Sequence, residues 1–296
     1  MNLVKQSKRW ARDTYYQAAR SGGALTPVHN RLRRWHHKQR YGVNTDFMFM
    51  AVELEINSMC NRKCTYCPNV TDRRPGGYMS RELFDKIIAE LGEMDFDGRV
   101  SYHFYGEPLL DKRLPEFVEH TKKVVPKSFT EIYSNGDFLN LESFREYLRR
   151  GLDNMLITQH DNVMPENLQA ILDGATEEEK KKIVIRFAED RYMINRSGLI
   201  TDLAVIKEPL KVACTWPLHT MVITIEGNVV LCCNDYFETE VIGNVGDTSL
   251  KEVWSTPQFQ KFRYALSTGD RTVSKLCHEC DFVPEEDQLL RVVPGR

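Results

Sequence analysis

The chain has 296 residues, 42% of them hydrophobic and 28% charged, with a formal net charge of −2. That length can bury a full-sized core, and no run approaches the roughly 18 apolar residues needed to span a bilayer, which excludes a transmembrane protein. The near-neutral total hides an asymmetry: residues 1–45 hold ten Lys or Arg against one acid, Asp13, leaving 30 basic and 41 acidic groups in the rest.

The basic extension, residues 1–45, has charges at Lys5, Lys8, Arg9 and Arg12 but no following apolar stretch with a small-residue cleavage site, so a secretory signal is not expected and the cytoplasm is. Such an arm can meet nucleic acid, anionic lipid or an acidic partner. No nucleic-acid motif accompanies it, and an amphipathic helix folded back on an acidic body accounts for the charge; its partner stays unassigned.

From about residue 49 a β-α rhythm begins. "FMAVELEI" alternates Val52, Leu54 and Ile56 on one face as a strand does. Ser80 is a helix N-cap, followed by the helical stripe Leu83, Phe84, Ile87, Ile88 and Leu91. "RVSYHFYG", "RLPEFVEHTKKV", "FTEIYSNG", "LESFREYLRR", "NMLITQH", "PENLQAILDGA" and "KIVIRFAE" continue the alternation, which predicts an α/β fold with a parallel sheet and outer helices. Five strands before residue 190 are too few for a closed eight-stranded barrel, so a partial barrel or open curved sheet is expected over 46–205, with functional loops at the strand C-terminal ends. After about 205 the rhythm stops. "HTMVITIEGNVVLCC" reads as a hairpin turning at Glu226, Gly227 and Asn228, and a short helix around "SLKEVWSTPQFQKFRYAL" precedes "CHEC". Residues 206–296 are therefore expected to form a small cysteine-lined module.

Eight cysteines fall into two groups, Cys60, Cys64 and Cys67, then Cys214, Cys232, Cys233, Cys277 and Cys280, which in a chain of this class argues for metal rather than disulfides. Structural zinc wants four protein ligands, and the next histidine after Cys67 is His103 on the following strand, so zinc is possible but poorly served. An iron–sulfur cluster held by three thiolates leaves one iron open to a reacting ligand.

The C-x3-C-x2-C spacing, with Tyr66 before the last cysteine, resembles the signature of the radical S-adenosylmethionine (SAM) enzymes. The resemblance implies a partial (β/α)6-type barrel and a [4Fe-4S] cluster on Cys60, Cys64 and Cys67. That cluster would bind the amino and carboxylate groups of SAM and release a 5′-deoxyadenosyl radical, which removes hydrogen from carbon. "YGEP", Tyr105, Gly106, Glu107 and Pro108, resembles the family's GGEP motif at the methionyl amino group, with Tyr105 replacing the first glycine. "YSNG" resembles the segment lining the SAM site, with Ser134 and Asn135 as contacts, and "ITQH" ends the strand near which ribose is often held. A flavodoxin or ferredoxin-type reductant is implied. Alone, "YGEP" would read as an ordinary strand-to-helix turn.

Cys214, Cys232, Cys277 and Cys280, separated by 18, 45 and 3, are enough for a second, fully ligated [4Fe-4S] cluster, although a zinc ribbon also fits the spacing. "EGNVVLCCND" and the segment after it resemble the C-terminal SPASM or shortened twitch extension of radical SAM enzymes, and the whole resembles the aminocyclitol dehydrogenases and related sugar-modifying members of that family. Dehydrogenation of a polyhydroxylated small molecule is thereby implied. Alternatives are an epimerase in which Cys233 or Cys232 returns a hydrogen atom, a peptide maturase, and a zinc-stabilised module with its basic arm on nucleic acid. On a strand, neighbouring residues face opposite ways, so if Cys232 ligates, Cys233 is expected to point away and be free as a catalyst or a packed thiol; the reverse assignment is also open. His103 and His160 are placed on strands, Trp216, Trp254 and Phe259 in packing, and Arg186 and Glu189 near a polar substrate or in ion pairs.

Overall fold

The computed structural model describes residues 49–70, 74–190, 193–203 and 205–283; the basic extension lies outside them. Strands β1 (Ala51–Leu54), β2 (Arg99–Tyr102), β3 (Phe129–Ser134), β4 (Asn154–Gln159) and β5 (Ile183–Phe187) run parallel in the spatial order β5-β4-β3-β2-β1. The connecting helices are α1 (Arg81–Glu93), α2 (Leu114–Val124), α3 (Leu141–Arg149), α4 (Glu166–Gly174) and the short α5 (Glu177–Lys180).

Pleating sends alternate side chains to opposite faces. Val52, Leu54, Val100, Ile132, Met155 and Ile157 face the helices and are buried against Phe84, Ile87, Ile88, Leu91, Phe117, Phe144 and Leu168. Phe84 of α1 stacks on Phe117 of α2 at 3.9 Å between ring centroids. Ser80 caps α1 by accepting from the Leu83 amide, as its position before an apolar stripe predicts.

The segment read as a hairpin is one, and it does more. Strands β6 (Thr220–Ile223) and β7 (Asn228–Val230) are antiparallel around Gly227, whose φ of +83° is the left-handed conformation such a turn requires. In addition β6 pairs in parallel with β1, Glu53 lying beside Val222. The parallel sheet thus has six strands, and β7 and β8 (Val241–Asn244) extend it to eight, in the order β5-β4-β3-β2-β1-β6-β7-β8. Alternation alone did not reveal this sixth strand because no helix separates it from β7.

The predicted helix around "SLKEVWSTPQFQKFRYAL" is two helices, α6 (Leu250–Trp254) and α7 (Pro257–Thr268). Pro257 has no amide proton and forces the preceding residue out of helical geometry; Thr256, at φ −59° and ψ 142°, instead caps α7 by accepting from Phe259. The last helix, α8 (Lys275–His278), carries Cys277. Among the described residues no helix is long and apolar enough to cross a membrane.

Candidate active site

The loop after β1 carries Cys60, Cys64 and Cys67, all partly exposed. Burial, with Cys67 and Cys60 beside it, pushes the Cys64 thiol up to about 11. Neighbouring thiols that raise one another's pKa resist ionising together unless a metal centre compensates them, which suits a cluster and not a lone nucleophile.

This loop is tied to the next two strand ends through Glu107. Its amide donates to Met59 O at 2.7 Å, and its carbonyl accepts from Asn57 Nδ2 at 3.0 Å. Its carboxylate accepts from Ser134 Oγ at 2.6 Å, the Asn135 amide at 2.8 Å and the Leu109 amide at 3.0 Å. Burial raises its pKa against those bonds. Three acceptor positions are therefore used within the protein, and about one of a carboxylate's four remains for a ligand ammonium. Gly106 is demanded by space: a Cβ there would lie 2.1 Å from the Asn57 carbonyl oxygen. Pro108 is buried at the start of a single 3-10 turn, Pro108–Leu110.

Arg62, within the cysteine loop, reaches the loops after β3 and β4. It donates to Asp137 at 2.6 and 2.7 Å and to Asp161 at 2.8 Å, while Asn135 donates to Asn61 at 2.9 Å. The Tyr66 hydroxyl bonds to His160 Nδ1. Cysteine loop, "YGEP", "SNG" and the end of β4 therefore share one rim, as the strand order requires. His160 and His103 directly follow β4 and β2 rather than lying within them. Arg186 shares the inner face of β5 with Thr158 of β4 by register; Glu189 is exposed, its amide donating to Asn162.

Inside the curved sheet lies a polar cluster that sequence reasoning missed. Glu53, buried to 1% exposure, approaches Arg99 Nη2 at 3.3 Å, and Arg99 Nη1 reaches Glu131 at 3.2 Å and the Tyr133 hydroxyl at 2.7 Å. His103 stacks on Tyr133 at 4.1 Å and lies 3.9 Å from Glu53. Burial, opposed by Arg99, pushes Glu53 up to about 7, and its Oε2 has no hydrogen-bond partner among the described residues. The available signal was a charge at the inward positions of β1, β2 and β3, Glu53, Arg99 and Glu131, where a purely structural sheet would carry none.

The second cysteine set meets around one cavity, lined by Cys214, Cys232, Cys233, Cys277 and Cys280 with Trp216, Asn234 and Arg271. The reading of Cys232 and Cys233 as facing opposite ways is corrected: β7 ends at Val230, and the two lie on the turn beyond it, where strand alternation does not apply. Both line the cavity, but their surroundings differ. Burial raises both thiols; Cys233, Cys277 and Cys280 add to this at Cys232, whereas Glu53, Arg196, Cys214 and Cys280 act on Cys233. Sulfurs are further engaged by amide donors, Asn234 N to Cys232 at 3.5 Å and Phe282 N to Cys280 at 3.4 Å. The four cysteines Cys214, Cys232, Cys277 and Cys280 of this one cavity are enough to ligate an iron–sulfur cluster fully. Trp216 lines this cavity and packs on Phe282, while Trp254 packs on Phe259 and Phe49.

Tyr105 is buried, packs edge-on against Tyr236 at 4.8 Å and has Arg196 5.8 Å from its ring. Cys67 of the first set and Cys232 and Cys233 of the second all act on its hydroxyl. Arg74 bonds both Glu55 and Glu238, and the Tyr236 hydroxyl donates to Asn69, which donates to the Tyr105 carbonyl at 2.7 Å. These contacts join the cysteine loop to the segment carrying Cys232 and Cys233.

Comparison with known proteins agrees with this geometry. Residues 54–195 match the radical SAM superfamily, and residues 214–281 match SPASM, an iron–sulfur cluster-binding domain. The chain is 35% identical to the S-adenosyl-L-methionine-dependent 2-deoxy-scyllo-inosamine dehydrogenase of Niallia circulans over 80% of its own length and 95% of that protein. A PqqA peptide cyclase of Bradyrhizobium diazoefficiens is 32% identical, but over 41% of this chain and 31% of the cyclase. The crystal structure of BtrN in complex with AdoMet and 2-DOIA superposes with a TM-score of 0.75 at 34% identity, covering 80% of this chain and 95% of that one. BtrN in an open conformation gives 0.65 at 33% identity over 80% and 94%. The chain belongs to the radical SAM superfamily, as an enzyme that uses SAM and iron–sulfur clusters and carries a C-terminal SPASM domain.

Proposed function

We propose that this enzyme oxidises a hydroxyl-bearing carbon of an aminocyclitol or similar polyhydroxylated ring to a ketone. Cys60, Cys64 and Cys67 would hold the SAM-binding cluster, and Cys214, Cys232, Cys277 and Cys280 the auxiliary one. When bound, these groups supply reductive cleavage of SAM, hydrogen abstraction from carbon and a sink for one electron. The observation that carries the reading is Tyr105, buried with both cysteine sets in its charge environment, so that a substrate beside it would face both. Similarity along 95% of a dehydrogenase of this type supports it.

The chain's own residues orient and exclude. Glu107, Ser134 and Asn135 present acceptors and donors to the methionyl end of SAM, while Tyr66, Tyr105, Gly106 and Pro108 line its bed. Glu53 offers an unpartnered carboxylate oxygen, held near neutrality, to a substrate hydroxyl or ammonium, which suits it to accept a proton. Residues 46–205 are assigned to the barrel and 206–296 to the auxiliary module, whose strand β6 joins the barrel's sheet beside β1. Eight cysteines grouped as two ligand sets suit a reducing cytoplasm, and a flavodoxin or ferredoxin-type protein would deliver the electron for SAM cleavage.

A second reading is epimerisation, favoured by Cys233, which lines the cavity of the second cysteine set and also feels Glu53 of the polar cluster inside the sheet. Anaerobic incubation with SAM, reductant and 2-deoxy-scyllo-inosamine in deuterated water separates the two by mass spectrometry. Loss of two hydrogens supports the dehydrogenase; deuterium fixed at carbon without such loss supports the epimerase and refutes the first reading.

A further inference from the structure

We infer that Arg271 sets the reduction potential of the auxiliary cluster, keeping it high enough to accept the electron released by substrate. The inference rests on the dehydrogenase reading, in which one hydrogen atom leaves carbon for the 5′-deoxyadenosyl radical, the hydroxyl proton leaves to a base, and one electron passes to the auxiliary cluster.

Arg271 is 2% exposed and lines the cavity shared by the second cysteine set. Its Nε donates to the Val212 carbonyl at 3.2 Å and its Nη2 to the Phe282 carbonyl at 2.8 Å. Carbonyl dipoles fix the plane of the fork but do not neutralise it, and no carboxylate of the described residues pairs with it within 4.0 Å. The groups whose charge acts on it are Cys214, Cys280, Cys277 and Cys232, all four proposed ligands. A lone buried cation is costly unless an anion lies beside it, and a thiolate-ligated cluster is that anion.

The direction of the effect follows from charge. Reduction adds one negative charge to the cluster, and a fixed cation in a medium of low dielectric favours the more negative state. The amide donors from Asn234 and Phe282 to sulfur act in the same sense. Val212 lies two residues before Cys214 and Phe282 two after Cys280, so the same side chain also bridges both ligand-bearing segments. A merely structural role would stop at that bridge.

The test is a redox titration of the auxiliary cluster, followed by electron paramagnetic resonance, in full-length protein bearing Cys60→Ala, Cys64→Ala and Cys67→Ala so that one cluster is observed. Arg271→Gln is expected to lower the midpoint by at least tenfold in the one-electron equilibrium, about 59 mV, with iron content unchanged. Arg271→Lys, which keeps the charge and loses the fork, is expected to stay within a third of that shift. An unchanged potential in the glutamine variant, or an equal shift in both, overturns the inference. If the glutamine variant sheds iron, the lysine variant decides: retained iron at near-parental potential supports a charge role, and iron loss from both refutes it. No substrate is needed, so a protein that failed to oxidise any ring would still report the shift, whereas a parent without auxiliary iron would overturn the cluster assignment and this inference together.

Discussion

Ser134 Oγ donates to Glu107 Oε1 at 2.6 Å, bonding the end of β3 to the loop after β2 across 27 positions of sequence. With the Asn135 and Leu109 amides on the same carboxylate, one side chain organises the rim that would receive SAM. Glu107→Gln turns an amide donor toward groups that are themselves donors. The expected cost is about 1–3 kcal/mol of stability, with weakened SAM binding, measured by chemical denaturation and by anaerobic calorimetry. Wild-type stability in this variant would contradict the organising role.

Gly106→Ala brings a methyl group against the Asn57 carbonyl, which cannot swing aside because it is backbone. Overpacking of this kind costs about 1–3 kcal/mol. The strain falls on the segment leading into Cys60, so iron should be lost from the first site while the auxiliary site, built on separate segments, keeps its own. Iron quantitation with electron paramagnetic resonance of each cluster distinguishes this from general unfolding.

Glu53 titrates near 7 in the folded protein because burial outweighs the pull of Arg99. The unfolded value is about 4.3, so the folded state holds the extra proton between the two. Stability from this group is greatest at low pH, falls as pH rises from about 4.3 to 7, and is level above that. The full change is about 4 kcal/mol. Glu55, also raised to about 7 by burial against Arg74, contributes over the same window. Glu53→Gln should therefore make the decline in urea stability between pH 5 and 7 measurably shallower, and an unaltered slope would show that Glu53 titrates normally.

The two cysteine sets should separate genetically. Substituting Cys60, Cys64 or Cys67 by Ala should abolish 5′-deoxyadenosine formation, whereas Cys280→Ala should allow some SAM cleavage and impair product formation. Equal loss from both would blur the proposed division. Cys233→Ala adds a third arm: retained oxidation leaves this thiol a packing role, while lost product with continued SAM cleavage makes it the hydrogen donor. Chromatographic assay of 5′-deoxyadenosine and product reads all three.

Arg62 links the cysteine loop to Asp137 and Asp161 at side-chain exposures of 20%, 25% and 68%. Pairs this open contribute less than about 1 kcal/mol. Arg62→Ala should therefore leave the denaturation midpoint almost unchanged yet quicken iron release to a chelator, since the loop loses its bonds to two neighbouring strand ends.

By itself the amino-acid sequence determined the β-α order, the outer hydrophobic face and the identity of the rim motifs, because each depends on residues near one another in the chain. Val52 and Leu54 declare a face by alternation, Ser80 declares a helix start by its side chain, and three cysteines within eight positions declare a shared ligand. Tertiary structure alone decided that β6 lies beside β1, that Cys232 and Cys233 line one cavity from a turn, and that Glu53, Arg99 and Glu131 form a buried cluster. It also placed Arg271 with four cysteines drawn from three separate segments. Those relationships arise from long-range strand pairing and from burial of charge, and neither leaves a local periodic mark for a pattern in the chain to reveal.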